Sequence, residues 1–113
     1  MTLHQALAEL PLPAISAWPD GVFDVQILAR HGVVVEVFAP RGIDHQFPHD
    51  RDELYIIAAV SAGFMLDQQL DSVRTGDLIM VPALTPHRFL DPSFDFAAWV
   101  IFFGPAPYAG KDP

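Results

Sequence analysis

Apolar residues in this chain change rhythm once, near position 11. Before it, Leu3, Leu7 and Leu10 recur at helical spacing, Thr2 stands where an N-cap belongs, and Pro11 and Pro13 close the run. That pattern predicts a helix over residues 2–10. Beyond the prolines the chain breaks into short apolar runs: FDVQILA (23–29), VVVEVFA (33–39), ELYIIAAV (53–60), FMLDQQL (64–70), DLIMVPA (77–83), HRFL (87–90) and FDFAAWVIFF (94–103). Turn residues separate most of them: His31-Gly32, Pro40-Arg41-Gly42, Arg74-Thr75-Gly76 and Asp91-Pro92. Short strands at close spacing predict an all-β sandwich or barrel over about residues 23–104. The tail, residues 105–113, is expected to pack loosely.

Two runs break the alternation expected of a strand with one wet face. LYIIAAV and FAAWVIFF are apolar on both sides, so something must cover their outer surface. A second copy of the chain is the simplest cover, with the N-terminal helix contributing part. A homodimer is therefore expected.

Composition narrows the partners. A chain of 113 residues suits one domain, and 51% hydrophobic with 18% charged residues predicts a folded one. Fourteen acidic residues against six basic give a formal charge of −8, which repels both nucleic-acid phosphates and an anionic membrane surface. Neither nucleic acid nor membrane is an expected partner; a small molecule is. The longest apolar run, Leu54 to Leu66, falls short of the ~18–20 residues of a membrane span. Cysteine is absent, which removes disulfides, thiolate ligands and a thiol nucleophile. With no signal-peptide pattern at the N-terminus, a cytoplasmic protein is expected.

Candidate chemistry concentrates in two segments, PHDRDELY (48–55) and GDLIMVPALTPHRF (76–89). They carry His49, Glu53 and His87, two imidazoles and a carboxylate. Such a set suits one divalent ion of iron, manganese, nickel or zinc. Strand alternation places Glu53, Tyr55 and Ile57 on one face, and turns His87 and Phe89 inward with Arg88 outward. A buried carboxylate lacking a basic partner is costly, and a metal cation would remove that cost. Tyr55 is a candidate proton donor or substrate contact, and Gln46 a candidate for orienting a substrate. Asp50 and Asp52 flank the site and are expected to point outward or to cap a turn. Trp99, Phe102 and Phe103 are expected in the core or the dimer interface. No Ser-His-Asp arrangement and no glycine-rich phosphate loop can be built from this sequence.

The same segments resemble the paired motifs of the cupin superfamily. Gly76, Pro82 and His87 fall at the spacings of the second motif, with Asp91 where Asn is usual and Leu84 where Gly is usual. His49 and Glu53 match the last His and the Glu of the first. The likeness spans roughly residues 33–105 and implies an antiparallel double-stranded β-helix, the jelly-roll barrel, with a short N-terminal helix. It also implies a metal centre, and a metal-dependent enzyme of oxygenase-like or isomerase-like type acting on a small organic molecule. A non-catalytic module holding a small ligand or a metal is the alternative. In the enzyme reading Phe47, Ile57, Met80 and Phe89 would form an apolar lining that excludes water. Two departures stand out: the first motif's leading His is Phe47, which cannot ligate, and its closing Gly is Val60. His45, Gln46 or water must complete the sphere, and alternation favours His45.

Overall fold

The computed structural model describes residues 1–104, so the tail expected to be loose lies outside the described residues. Its elements are α1 (Leu3–Ala8), β1 (Asp24–Arg30), β2 (Val33–Phe38), β3 (Asp52–Ala59), β4 (Ser61–Leu66), β5 (Gln69–Arg74), β6 (Leu78–Val81), β7 (His87–Leu90) and β8 (Ala97–Phe103). They form two antiparallel sheets, ordered β1-β2-β8-β3-β6 and β5-β4-β7. No helix among the described residues is long and apolar enough to cross a membrane.

The helix is shorter than its apolar spacing predicts. Thr2 caps it through a full capping box: its side chain accepts from the Gln5 backbone N–H while the Gln5 side chain accepts from the Thr2 N–H. Glu9 is the C-cap, so the last turn ends before Leu10 and the prolines. α1 lies against β2, where Ala6 and Val37 are both fully buried.

One expected strand divides in two. The run 64–70 crosses a tight turn at Asp67, which adopts a left-handed φ of 55°, so Phe64 to Leu66 close β4 and Gln69 and Leu70 open β5. β5 was invisible as an apolar run because Val73 is its only buried residue. The run 94–103 also loses its first three residues to a turn, with Asp95 at φ 65°.

Side chains from both sheets fill one core. Tyr55, Ile57, Val81, Ala98 and Val100 from the larger sheet meet Ala62, Phe64, Val73 and Phe89 from the smaller. Aromatic rings dominate the contact, with Phe89 centred 5.0 Å from Tyr55, 4.8 Å from Phe64 and 4.9 Å from Phe96.

The outer surface of the larger sheet is apolar in register. Leu78 pairs with Ile56, Ile56 with Trp99, and Trp99 with Val37; beside that row run Met80, Leu54, Ile101 and Val35. Leu78 is 64% exposed, Met80 42% and Ile56 36%. Met80 therefore corrects the expected lining: its register partner is Leu54, whereas Glu53 faces Val81 and Tyr55 faces Ile79. Val81 and Ile79 take the inward places that Met80 was expected to share.

The motif departures keep their backbone shape. Val60, Leu84 and Asp91 replace Gly, Gly and Asn, and all three hold left-handed φ values of 51°, 65° and 46°. Such angles strain any side chain with a Cβ, most of all a β-branched one. The turns are thus preserved where the residue types that favour them are not.

Candidate metal centre

Two loop-strand junctions are fastened together, and that brings the chemistry to one place. The Leu84 N–H donates to the His49 carbonyl at 2.7 Å, and the Ala83 N–H donates to Asp52 Oδ1 at 2.8 Å. Asp52 thus caps a turn of the partner loop. These bonds hold the approach to β3 beside the bend that delivers His87 to β7.

The result is a three-residue cluster. One ligand atom each from His49, Glu53 and His87 lies within 4.8 Å of the others, so the group could hold a metal ion. Glu53 Oε1 lies 2.7 Å from His87 Nε2 and 3.9 Å from His49 Nε2. Glu53 is fully buried and His87 is 6% exposed, while His49 opens partly to solvent.

The protonation pattern suits a cation. His87 Nδ1 lies 2.7 Å from the Thr85 carbonyl, which can only accept, so Nδ1 carries the proton. In the neutral ring Nε2 then presents its lone pair to Glu53. The 2.7 Å approach lies outside hydrogen-bonding geometry, and Glu53 Oε1, Glu53 Oε2 and His87 Nε2 are buried without a hydrogen-bond partner. Burial pushes the His87 imidazole down, but Glu53, the Thr85 carbonyl and Asp44 outweigh it and raise its pKa above the usual value. A proton on Nε2 and a divalent ion are the alternative ways to relieve the close approach of these atoms, and an ion would take the proton's place.

Gln46 takes the side of the cluster that sequence alternation reserved for His45. Residues 43–49 form no strand, so the alternation favouring His45 does not apply there. The His45 ring instead packs edge-on against Trp18, with centroids 5.5 Å apart. Gln46 Oε1 accepts from the Tyr55 hydroxyl at 2.9 Å and lies 3.2 Å from His49 Nε2. Its amide orientation is fixed from behind, because Gln46 Nε2 donates to Asp44 Oδ2 at 2.5 Å.

Asp44 is the residue sequence reasoning missed. It is 3% exposed and accepts from the backbone N–H groups of Gln46 and Phe89 as well as from the Gln46 amide. Burial raises its pKa, and those hydrogen bonds oppose the rise. Nothing in its spacing marked it, since its role depends on a contact with Phe89, 45 positions away.

Tyr55 is a core residue with its hydroxyl turned to the site. Burial, followed by Glu53 and Asp44, drives its pKa well above the usual value, so the phenol stays protonated and donates to Gln46. Phe47 lines a cavity of about 240 Å³ from its rim, where it is 70% exposed. Phe102 lines that cavity, with its ring 5.1 Å from His49. A second cleft of about 230 Å³ lies beyond Gln46, beside Met65 and Arg88.

Comparison with known proteins agrees with this architecture. No family model matches the chain. An uncharacterized protein of Streptomyces coelicolor is 30% identical over 96 residues, covering 83% of this chain and 90% of that protein. Among solved structures, the plu4264 protein of Photorhabdus luminescens aligns with a TM-score of 0.63 at 18% identity, over 75% of this chain and 77% of that one. A cupin 2 conserved barrel domain protein of Salinispora arenicola gives 0.63 at 14% identity, over 75% and 77%. The DMSP lyase DddQ of Ruegeria pomeroyi gives 0.63 at 22% identity, over 74% of this chain and 47% of that one.

Proposed function

This chain belongs to the family of its Streptomyces coelicolor relative and has the cupin fold, and from that premise we propose that it is a metal-dependent enzyme acting on a small organic molecule inside the barrel. His49, Glu53 and His87 would hold the ion, and Gln46 Oε1 stands beside them as a fourth donor atom. The observation that carries this reading is the orphaned trio of Glu53 Oε1, Glu53 Oε2 and His87 Nε2. Leaving such atoms unpartnered costs about 1–3 kcal/mol each, and a bound cation satisfies all three.

A divalent ion there supplies Lewis acidity or dioxygen binding, which suits an isomerase-like or oxygenase-like reaction. The protein's own groups do the positioning. Thr85 fixes the His87 tautomer, Asp44 fixes the Gln46 amide, and Tyr55 holds the amide oxygen toward His49. Phe38, Phe102 and Tyr55 wall the adjoining cavity and limit water. That one cupin-fold neighbour is a lyase supports catalysis as a use of this fold, though at 22% identity the likeness extends to the fold alone.

We also propose a homodimer built on the outer row of Leu78, Ile56 and Met80, whose exposed apolar area favours a partner over water.

Elemental analysis after reconstitution with iron, manganese, nickel and zinc tests the centre. One bound ion per chain is expected, with a rise in melting temperature. Absence of bound metal under every condition overturns the reading.

A further inference from the structure

The cavity beside the metal cluster has a second chemical end. Its walls include Trp18, Phe38, Phe47, Tyr55 and Phe102, so aromatic rings form half of the ten residues that line it. Among the described residues its acidic members are Asp24 and Glu36, and none of those lining it is a lysine or arginine. Sheet register explains the placement: Glu36 pairs with Val100, Val100 with Tyr55, and Asp24 with Phe38, so these side chains share the inner face.

Glu36 is an unusual residue for that position. Core-facing strand positions are normally apolar, and a desolvated acid there normally has a basic partner. Among the described residues the ion pairs are those of His49 and His87 with Glu53, and neither reaches Glu36 or Asp24. Two arginines of this region are engaged elsewhere. Arg41 donates to the carbonyls of Ala39, Pro40 and Phe96, and Arg51 to those of Gly32 and Gly104. Burial, then the neighbouring Asp24 carboxyl, then Glu53, lift the Glu36 pKa from 4.5 to about 8. Glu36 therefore keeps its proton at neutral pH, and the wall presents a carboxyl pair with no basic side chain beside it among the described residues. At the other end of the cavity stands His49, and behind it the fully buried Glu53 oxygens lack partners.

We propose that this cavity selects a small organic cation, an ammonium compound whose charged group sits between the aromatic rings and the Asp24–Glu36 pair while its other end faces the His49 cluster. This rests on the reading of the barrel as a small-molecule site and names the class of molecule it takes. Aromatic faces and carboxylates together suit a weakly hydrated ammonium. They do not suit a second metal ion: among the described residues only His49, Glu53 and His87 come together in threes with ligand spacing. At about 240 Å³ the cavity admits a molecule of a few non-hydrogen atoms and excludes a peptide or a nucleotide.

The test uses two probes of equal shape and different charge, choline and its uncharged isostere 3,3-dimethylbutan-1-ol. Binding of each is measured by titration calorimetry to the whole chain, metal-free and metal-loaded. The wild type is compared with Glu36→Gln, Asp24→Asn and the double variant. The expected result is a preference for choline of at least ~10-fold in wild type, the order of a cation–aromatic contact supported by one carboxylate. That preference should fall to within ~2-fold in the double variant while affinity for the isostere is unchanged. Equal binding of the two probes, no binding of either, or a preference that survives the double substitution overturns the proposal. Folding is checked by circular dichroism, and the wild-type comparison of the two probes needs no variant at all. Metal content is measured on the same samples. A choline preference without metal binding sinks the metal reading alone, and metal binding without the preference sinks this proposal alone.

Discussion

The two faces of the larger sheet invert the usual distribution of polarity. A sheet with one wet face ordinarily turns polar residues to water and apolar ones to the core. Here the inner face carries Glu36, Glu53 and the Tyr55 hydroxyl, while the outer face shows Leu78, Ile56, Trp99 and Met80. The inner polar groups gather around the cavity and the His49–Glu53–His87 cluster, and the apolar core lies beyond them against the smaller sheet. The difference teaches where each kind of cost is offset. On the proposed reading a ligand completes the inner groups and a second copy of the chain covers the outer ones.

The strongest way to break the inner face is His87→Ala. It removes the imidazole whose tautomer Thr85 fixes, and metal affinity should fall on the order of 100-fold or more, a larger loss than outer-shell changes produce. Circular dichroism should stay native, and retained metal by elemental analysis would show that the ligands are different ones.

The corresponding break of the outer face is the pair Leu78→Lys and Met80→Lys. Both side chains are already exposed, so the fold should persist while the dimer separates into monomers, read by light scattering at micromolar concentration. A wild type that is already monomeric would dissolve the contrast between the faces.

A smaller effect lies in pH. Glu36 has a folded pKa of about 8 against 4.5 when unperturbed, so between those values the folded chain binds the extra proton. Its contribution to stability is complete below 4.5 and is lost as pH rises through about 8. Burial sets that direction first, and the facing groups Asp24 and Glu53 add to it. The melting temperature of the metal-free protein should therefore decline across this window, and Glu36→Gln should flatten the decline. A slope unchanged by the substitution would remove Glu36 as its origin.

The smallest change sits where the two sheets join. Val60 follows β3 and precedes β4 with a φ of 51°, a conformation that costs a β-branched residue about 1–2 kcal/mol. Val60→Gly relieves it but adds freedom to the unfolded chain, so a net gain of up to about 1 kcal/mol is expected by denaturant melting. A loss of stability would mean that the exposed Val60 side chain makes contacts that outweigh the strain.

Much of the architecture was legible because strand periodicity is local. HRFL is a strand with its expected inward and outward residues, and Glu53, Tyr55 and Ile57 share the buried face that alternation assigned to them. Legibility failed where periodicity does not operate. β5 buries one side chain and so left no apolar signature. Residues 43–49 form no strand, so the choice between His45 and Gln46 could not follow from alternation. Met80 was misplaced because DLIMVPA is apolar on both faces, and only pairing with Leu54 tells its inside from its outside.

By itself the sequence determined the strand pattern, the acidic balance and the three residues His49, Glu53 and His87, because each depends on residue type and short spacing. Tertiary structure alone decided which groups stand beside the cluster. Gln46 turns toward His49 because Asp44 holds its amide, Asp44 is held by a backbone N–H on a distant strand, and His45 is drawn aside by Trp18. It also decided that Asp24 and Glu36 face the same cavity, which requires the register of β1, β2, β8 and β3 across the sheet. Contacts between residues far apart in the chain depend on that register, and no local pattern encodes it.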